Sequence, residues 1–261
     1  SPAIPRALCC CASAATRCGR RWRGAGGACA AASAAAGAAS SVPRDAALRA
    51  QYLQALGIEQ WQLRRAPPLS GAWQQLAAEV RGCVRCGLHA TRTQTVFGVG
   101  NLSAELLVVG EAPGADEDRQ GEPFVGRAGQ LLNSMLRAMR APRDTVYIAN
   151  LLKCRPPANR DPAAEEVACC QPYLQRQIEL LGPRLMLAVG RIAAQNLLAT
   201  DTPIGKLRGV VHRYGASGTP LIVTYHPAYL LRSPTEKRKS WVDLRLVCGE
   251  LARLRALPRS A

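Results

Sequence analysis

Apolar residues in this chain fall into short unbroken runs separated by amphipathic stretches. Leu106–Val109, Val146–Ala149, Leu185–Val189 and Leu221–Thr224 are such runs, too short for independent helices and rich in β-branched residues and leucine. They read as buried strands. Between them the spacing turns helical. Leu131, Leu132, Met135, Leu136 and Met139 predict a helix over 129–139. Pro162 predicts the start of a long helix to about Leu181, with Glu165 and Glu166 near its positive end. Residues 191–198 read as another helix, and 240–256 as a last one with Trp241, Leu244, Val247, Cys248 and Leu251 inward. Upstream, 45–56 and 72–80 read as short amphipathic helices around the Pro67-Pro68 break. Cys83 to Cys86 reads as a tight loop. Strands alternating with helices predict an α/β fold, a central, mostly parallel four-stranded sheet with helices on both faces.

That topology has a geometric consequence. Gly110-Glu111, Asn150 and His226 each come directly after a predicted strand. In a parallel sheet those ends gather on one edge, where open α/β sheets bind ligands. Gly110-Glu111-Ala112-Pro113-Gly114 is a turn carrying a carboxylate at such an end. Phe124, one of two phenylalanines in the chain, sits in the following loop, outside any periodic segment.

Composition adds a partner class. The 261 residues carry a formal net charge of +16, with a pI near 10.0. Such an imbalance favours a polyanion, nucleic acid first and anionic membrane second. No run of ~18 uncharged apolar residues exists, so no transmembrane helix and no membrane partner are expected. Residues 1–44 contain no acidic residue and are mostly Ala, Gly, Ser, Cys and Arg. A disordered basic tail, an arginine- and serine-rich targeting segment and upstream sequence foreign to the working protein compete for this stretch. The first reading is taken, with a cytoplasmic, nucleoid-associated protein as the expectation and organellar targeting as its rival. The expected organisation is a tail over 1–44, a helical extension and linker over 45–71, a globular domain over 72–256 and a short tail over 257–261.

Five of the eleven cysteines lie within the first thirty residues. Among the rest, Cys83 and Cys86 form a C-x-x-C pair, Cys154 follows the second strand, and Cys170 lies in the next helix beside Cys169. Two close thiols and two distant ones suit an iron–sulfur cluster or a structural zinc, and spacing does not separate the two. Cys248 is expected to be a packing residue.

At this point longer motifs can be read. Gly110-Glu111-Ala112-Pro113-Gly114, the stretch from Glu122 to Asn133 (EPFVGRAGQLLN), the stretch from Asn150 to Pro157 (NLLKCRPP) and His226-Pro227-Ala228 resemble the type-4 uracil-DNA glycosylases, the iron–sulfur-containing group of that family. The resemblance covers about residues 72–256. It implies a DNA-repair enzyme that flips uracil out of single- or double-stranded DNA and hydrolyses its N-glycosidic bond, acting as a monomer. It implies a mainly structural [4Fe-4S] cluster on Cys83, Cys86, Cys154 and Cys170, the last chosen over Cys169 from the surrounding Glu166 and Pro172-Tyr173-Leu174.

The resemblance also distributes roles. Phe124 stacks on the flipped base, and Asn150 reads its edge. A neutral His226 stabilises charge on the departing base. Type-1 enzymes carry an Asp at the third position of the loop motif. Ala112 stands there in this chain and supplies only backbone, so Glu111, Asp116, Glu117 and Asp118 are the nearby carboxylates; Glu111 and Glu117 are taken as catalytic, Glu117 also walling off the position of a thymine methyl. Arg127 at a helix start and Arg232 are candidate phosphate contacts. Leu230 or Leu231 is the candidate wedge into the base stack. Other readings are a non-catalytic iron–sulfur protein that binds uracil in DNA, a zinc module, and a relative that traps the abasic sugar covalently. The last needs a reactive His in an inserted loop, and Cys154 runs straight into Arg155-Pro156-Pro157 without one.

Overall fold

The computed structural model describes residues 44–57 and 71–257. The expected basic tail up to Pro43, its cysteines, the Pro67-Pro68 break and residues 258–261 lie outside them. The chain divides into two compact units at Leu63 and Arg64. In the first, Arg44–Ala55 forms helix α1, one residue off its predicted span.

The second unit begins with α2 (Gly71–Arg81), which buries Trp73, Leu76 and Val80 along one stripe. Then come β1 (Val99–Gly100), β2 (Leu106–Gly110), α3 (Ala115–Gln120), α4 (Arg127–Ala138), β3 (Tyr147–Asn150) and α5 (Ala164–Leu181). They are followed by β4 (Leu185–Val189), α6 (Arg191–Leu198), α7 (Ile204–Leu207), β5 (Val211–Tyr214), β6 (Thr219–Thr224), α8 (Pro227–Arg232) and α9 (Lys237–Arg255). The strands form one six-stranded sheet in the order β1-β3-β2-β4-β6-β5. The four predicted strands are its central, wholly parallel part, and β1 and β5 flank them antiparallel.

Side-chain alternation divides the core into two layers. Leu107, Val109, Ala149, Met186, Ala188, Leu221 and Val223 face one way, against α2, α5 and α6. Leu106, Val108, Ile148, Leu185, Leu187, Val189 and Ile222 face the other, against α4, α8 and α9. Strands covered on both faces need no polar side, and this is why their sequence reads as continuous apolar runs.

Four expectations need correction. The sheet has six strands; β1 is only two residues long and β5 alternates between exposed and half-buried positions, so neither shows as an apolar run. The long helix starts at Ala164, not Pro162, where the Glu166 carboxylate accepts the Ala163 N–H at 2.9 Å. On α9, Leu244, Val247 and Leu251 are buried, but Trp241 is 48% exposed. Cys248 is also exposed, on the outward side of the same helix rather than in the core.

Candidate active site

The parallel registers bring the strand ends level. Gly110 pairs with Asn150, Val109 with Ala188, and Val189 with Thr224. Beyond this edge opens a cavity of about 750 Å³ lined by Glu111, Ala112, Glu117, Phe124, Asn150, His226 and Arg232 among others. The volume falls in the range of small-molecule sites. All three predicted strand-end segments therefore meet in one place, and the Phe124 loop joins them.

Phe124 is buried, with a left-handed backbone at φ 54°. That conformation is uncommon for a bulky residue and persists only where the surroundings over-determine it. Here the surroundings do so. The Arg143 guanidinium donates to the carbonyls of Pro123 and Phe124 and to Asn133 Oδ1. Gly129 of α4 lies so close beneath that a Cβ there would sit 1.8 Å from the Phe124 carbonyl oxygen. The Phe124 ring packs at 5.7 Å and 32° to the His226 ring. At Gly110 a Cβ would lie 2.4 Å from Asn150 Oδ1 and 2.6 Å from Phe124 Cζ. Only a glycine leaves room for both side chains.

Asn150 is buried, and its Oδ1 has no hydrogen-bond partner. An unsatisfied buried acceptor costs about 1–3 kcal/mol, so its retention at a cavity wall calls for a ligand donor. His226 caps α8, its Nδ1 accepting the Ala228 N–H at 3.2 Å. That bond places the ring proton on Nε2. Burial, reinforced by the positive charge of Arg232, pulls the imidazole down to about 4, so it is neutral near pH 7. Gly190, at φ 103°, lets the backbone after β4 approach the His226 ring, with Cδ2 3.3 Å from where a Cβ would be.

The two carboxylates behave differently. Burial, with Asp161 nearby, pushes Glu111 up to about 7 despite the opposing charge of Arg191. Glu117 instead accepts three backbone N–H groups, from Gly114 at 3.1 Å, Val125 at 3.0 Å and Gly126 at 3.1 Å. It ties the Gly114 turn to the loop entering α4. Ala112 lines the wall and brings no side-chain acid. Arg127, the first residue of α4, is exposed.

The wedge expectation is corrected in part. Leu230 is 1% exposed and belongs to the core layer under α8, so it is unavailable to DNA. Leu231 is 37% exposed.

A second, smaller cavity is lined by Cys83, Cys86, Cys154, Cys169 and Cys170. Among the described residues no three His, Cys, Asp or Glu side chains converge as they would on a single ion. Two sulfurs are already hydrogen-bond acceptors, Cys154 from Arg92 at 3.0 Å and Cys170 from the Lys153 N–H at 3.2 Å. Burial holds the Cys170 thiol up at about 11. A thiol so placed becomes thiolate when a metal takes the proton's place. Cys170 and Cys154 interact with each other and with Cys86, whereas Cys169 turns toward the Arg85 carbonyl, 3.3 Å away.

Several site residues escaped the sequence reading. Gly190 and Arg191 follow β4 just as Glu111 follows β2, so position at a strand end was the available signal. Tyr225 and Tyr229, with rings 5.1 Å apart, also line the cavity and flank the histidine in sequence. Arg143 carries no local signal, because its role depends on a loop nearly twenty residues away.

Comparison with known proteins agrees with this geometry. The family model described as "Uracil DNA glycosylase superfamily" matches residues 97–245. The type-4 uracil-DNA glycosylase of Archaeoglobus fulgidus is 46% identical over 183 residues, 67% of this chain and 91% of that protein. That of Thermotoga maritima is 43% identical over 159 residues, 60% of this chain and 82% of its own length. The type-5 uracil-DNA glycosylase of Thermus thermophilus is more distant, 34% identical over 153 residues, 50% of this chain and 68% of that protein. Fold, strand-end constellation and kinship coincide: the chain belongs to the uracil-DNA glycosylase superfamily, in its type-4 group.

Proposed function

We propose that this protein removes uracil from DNA, flipping the nucleotide into the strand-end cavity and hydrolysing the bond between base and sugar. One observation carries the reading. A ring, a buried amide with an unpartnered oxygen and a neutral imidazole converge on a single cavity of about 750 Å³. Each matches one need of a flipped uracil. Phe124 offers the stacking face. Asn150 Oδ1 accepts from N3–H while its amide N–H donates to O4; cytosine presents the opposite pattern. The Nε2–H of His226 donates to O2, where charge gathers as the C1′–N1 bond breaks. Fixed donors aimed at a developing anion are worth most in a water-excluded site.

Water completes the reaction by adding to C1′. Glu111, with its carboxyl near 7, is the group we assign to orient that water. Glu117 is assigned to hold the loop, since its oxygens are already engaged by backbone. Arg232 and Arg127 are assigned to phosphates, and Leu231 to the wedge.

The cysteine cavity is assigned to a [4Fe-4S] cluster on Cys83, Cys86, Cys154 and Cys170. Bound there, the cluster would cross-link the Cys83–Cys86 loop to Cys154 after β3 and to Cys170 on α5. The N–H···S bonds to Cys154 and Cys170 and the common lining of one small cavity by these cysteines support this donor set. Among the described residues no helix is long and apolar enough to cross a membrane.

The deciding experiment incubates the protein with a uracil-containing oligonucleotide and then treats it with alkali. Strand cleavage only after alkali is expected. Failure to form an abasic product would overturn the assignment and leave a binding protein of the same fold.

A further inference from the structure

An ion pair outside the cavity holds the turn that carries His226. Asp243 of α9 is fully buried, and the side chain of Arg208, the residue after α7, is 11% exposed. Arg208 Nε and Nη2 donate to Asp243 Oδ2 at 2.9 Å and 2.6 Å. The same oxygen accepts the Thr224 hydroxyl at 2.9 Å. Arg208 Nη2 also donates to the Lys239 carbonyl, one turn earlier on α9. Taking both charges out of water offsets much of their attraction, so stability alone is a weak reason for a pair this deep. What the pair touches supplies a stronger one.

Thr224 and Tyr225 are the two residues before His226. Asp243 holds the first through its hydroxyl, and Arg208 holds the second with its guanidinium 4.7 Å from the centre of the Tyr225 ring. Thr224 ends β6, and its carbonyl accepts the N–H of Gly190, the residue against which the His226 ring packs, at 2.9 Å. The Tyr225 ring lies 5.1 Å from that of Tyr229 on α8, the helix that His226 caps. Tyr225, His226 and Gly190 line the cavity, whereas Thr224, Arg208 and Asp243 are not among its lining residues. The pair therefore acts on the base only through the turn. Resting on the uracil-excision reading, we propose that Arg208 and Asp243 are positioning residues that clamp the Thr224-Tyr225-His226 turn, so that the histidine Nε2–H meets O2 of the base as its bond to the sugar breaks. The hydroxyl–carboxylate bond fixes the chain where β6 ends, and the cation over the ring fixes the side chain next to the histidine.

The test compares the full-length protein with Thr224→Val, Thr224→Ser and Arg208→Lys in single turnovers on a uracil-containing single strand, with circular dichroism to report folding. Valine keeps the shape of threonine and removes the hydroxyl. Thr224→Val should lower the maximal rate about tenfold, the loss of one hydrogen bond to a charged group, and leave the half-saturating DNA concentration within about twofold. Serine keeps the hydroxyl and loses a methyl. Thr224→Ser should melt earlier yet retain the rate within about threefold. A role confined to packing predicts the reverse order, with serine the worse of the two, and would overturn the proposal. Arg208→Lys keeps a charge for Asp243 but not the flat fork over Tyr225, and should also slow the maximal rate about tenfold. A rise in half-saturating DNA concentration at unchanged maximal rate would make Arg208 a phosphate contact instead. The double variant Thr224→Val/Arg208→Lys should be about as slow as the slower single one, because both loosen one turn; losses that multiply would show two separate roles and overturn the clamp. If Thr224→Val does not fold, Arg208→Lys decides alone. Unchanged rates in folded variants of an active protein sink this proposal, whereas a wild-type protein that leaves uracil in place sinks the reading on which it rests.

Discussion

At the residue scale the site depends on which groups are charged and which atoms have room. Glu111 has its folded pKa raised to about 7 from an ordinary carboxylate value. The folded state therefore binds that proton more tightly than the unfolded chain does. The associated stability is present below the unfolded pKa, near 4.5, and is lost as pH rises through about 7. Glu111→Gln should accordingly raise the melting temperature at pH 8 while leaving it little changed at pH 4, by calorimetry. In single turnovers the same variant should abolish the rise in rate through pH 7 expected of the wild type. A rise that persists in Glu111→Gln places the water-orienting group elsewhere. His226 is the reverse case, a base whose folded pKa is lowered to about 4. Its contribution is present above pH 6.5 and lost as pH falls toward 4, so its ring signals in NMR should not titrate between pH 5 and 8. At Gly110 space decides. Gly110→Ala should keep the fold by circular dichroism but cut uracil excision at least about 100-fold, because the new Cβ collides with Asn150 and Phe124, and small misplacements of binding groups cost about that much.

At the element scale, α8 separates two roles that its sequence runs together. Leu230 is core and Leu231 surface, adjacent residues about 100° apart on a helix. Leu230→Ala should destabilise the fold by about 2–4 kcal/mol, read from denaturant midpoints. Leu231→Ala should spare stability and slow excision from duplex more than from single strands; equal losses on both substrates would remove the wedge. This pair also shows what the sequence could reveal. The central strands were legible because both faces are covered, which forces apolar runs, and their ends located Gly110, Asn150 and His226 because parallel strands align. The edge strands, α3 and α7 were not legible, since segments of two to six residues carry too little periodicity. Leu230 and Leu231 were indistinguishable because one apolar pair on a six-residue helix does not define a face. Arg143 was invisible for another reason: it acts on backbone carbonyls of a distant loop, and carbonyls leave no trace in a sequence.

At the scale of the whole molecule, a net charge of +16 makes affinity for DNA a property of the solution as much as of the protein. Binding to an undamaged oligonucleotide should weaken steeply and linearly in log–log terms as salt rises, since each neutralised phosphate releases a counterion. The rate of excision from pre-bound substrate should change far less. The two responses separate because the cavity is chemically unlike the surface around it. Its decisive feature is the single bare oxygen of Asn150, and that oxygen bears on the end of the reaction as well as its beginning. Once the bond to the sugar is cut, the liberated base still matches the amide and the imidazole. Leaving the pocket restores an unsatisfied acceptor. Free uracil should therefore act as a competitive product inhibitor where free cytosine does not, and turnover under excess substrate should be governed by how fast the product is let go.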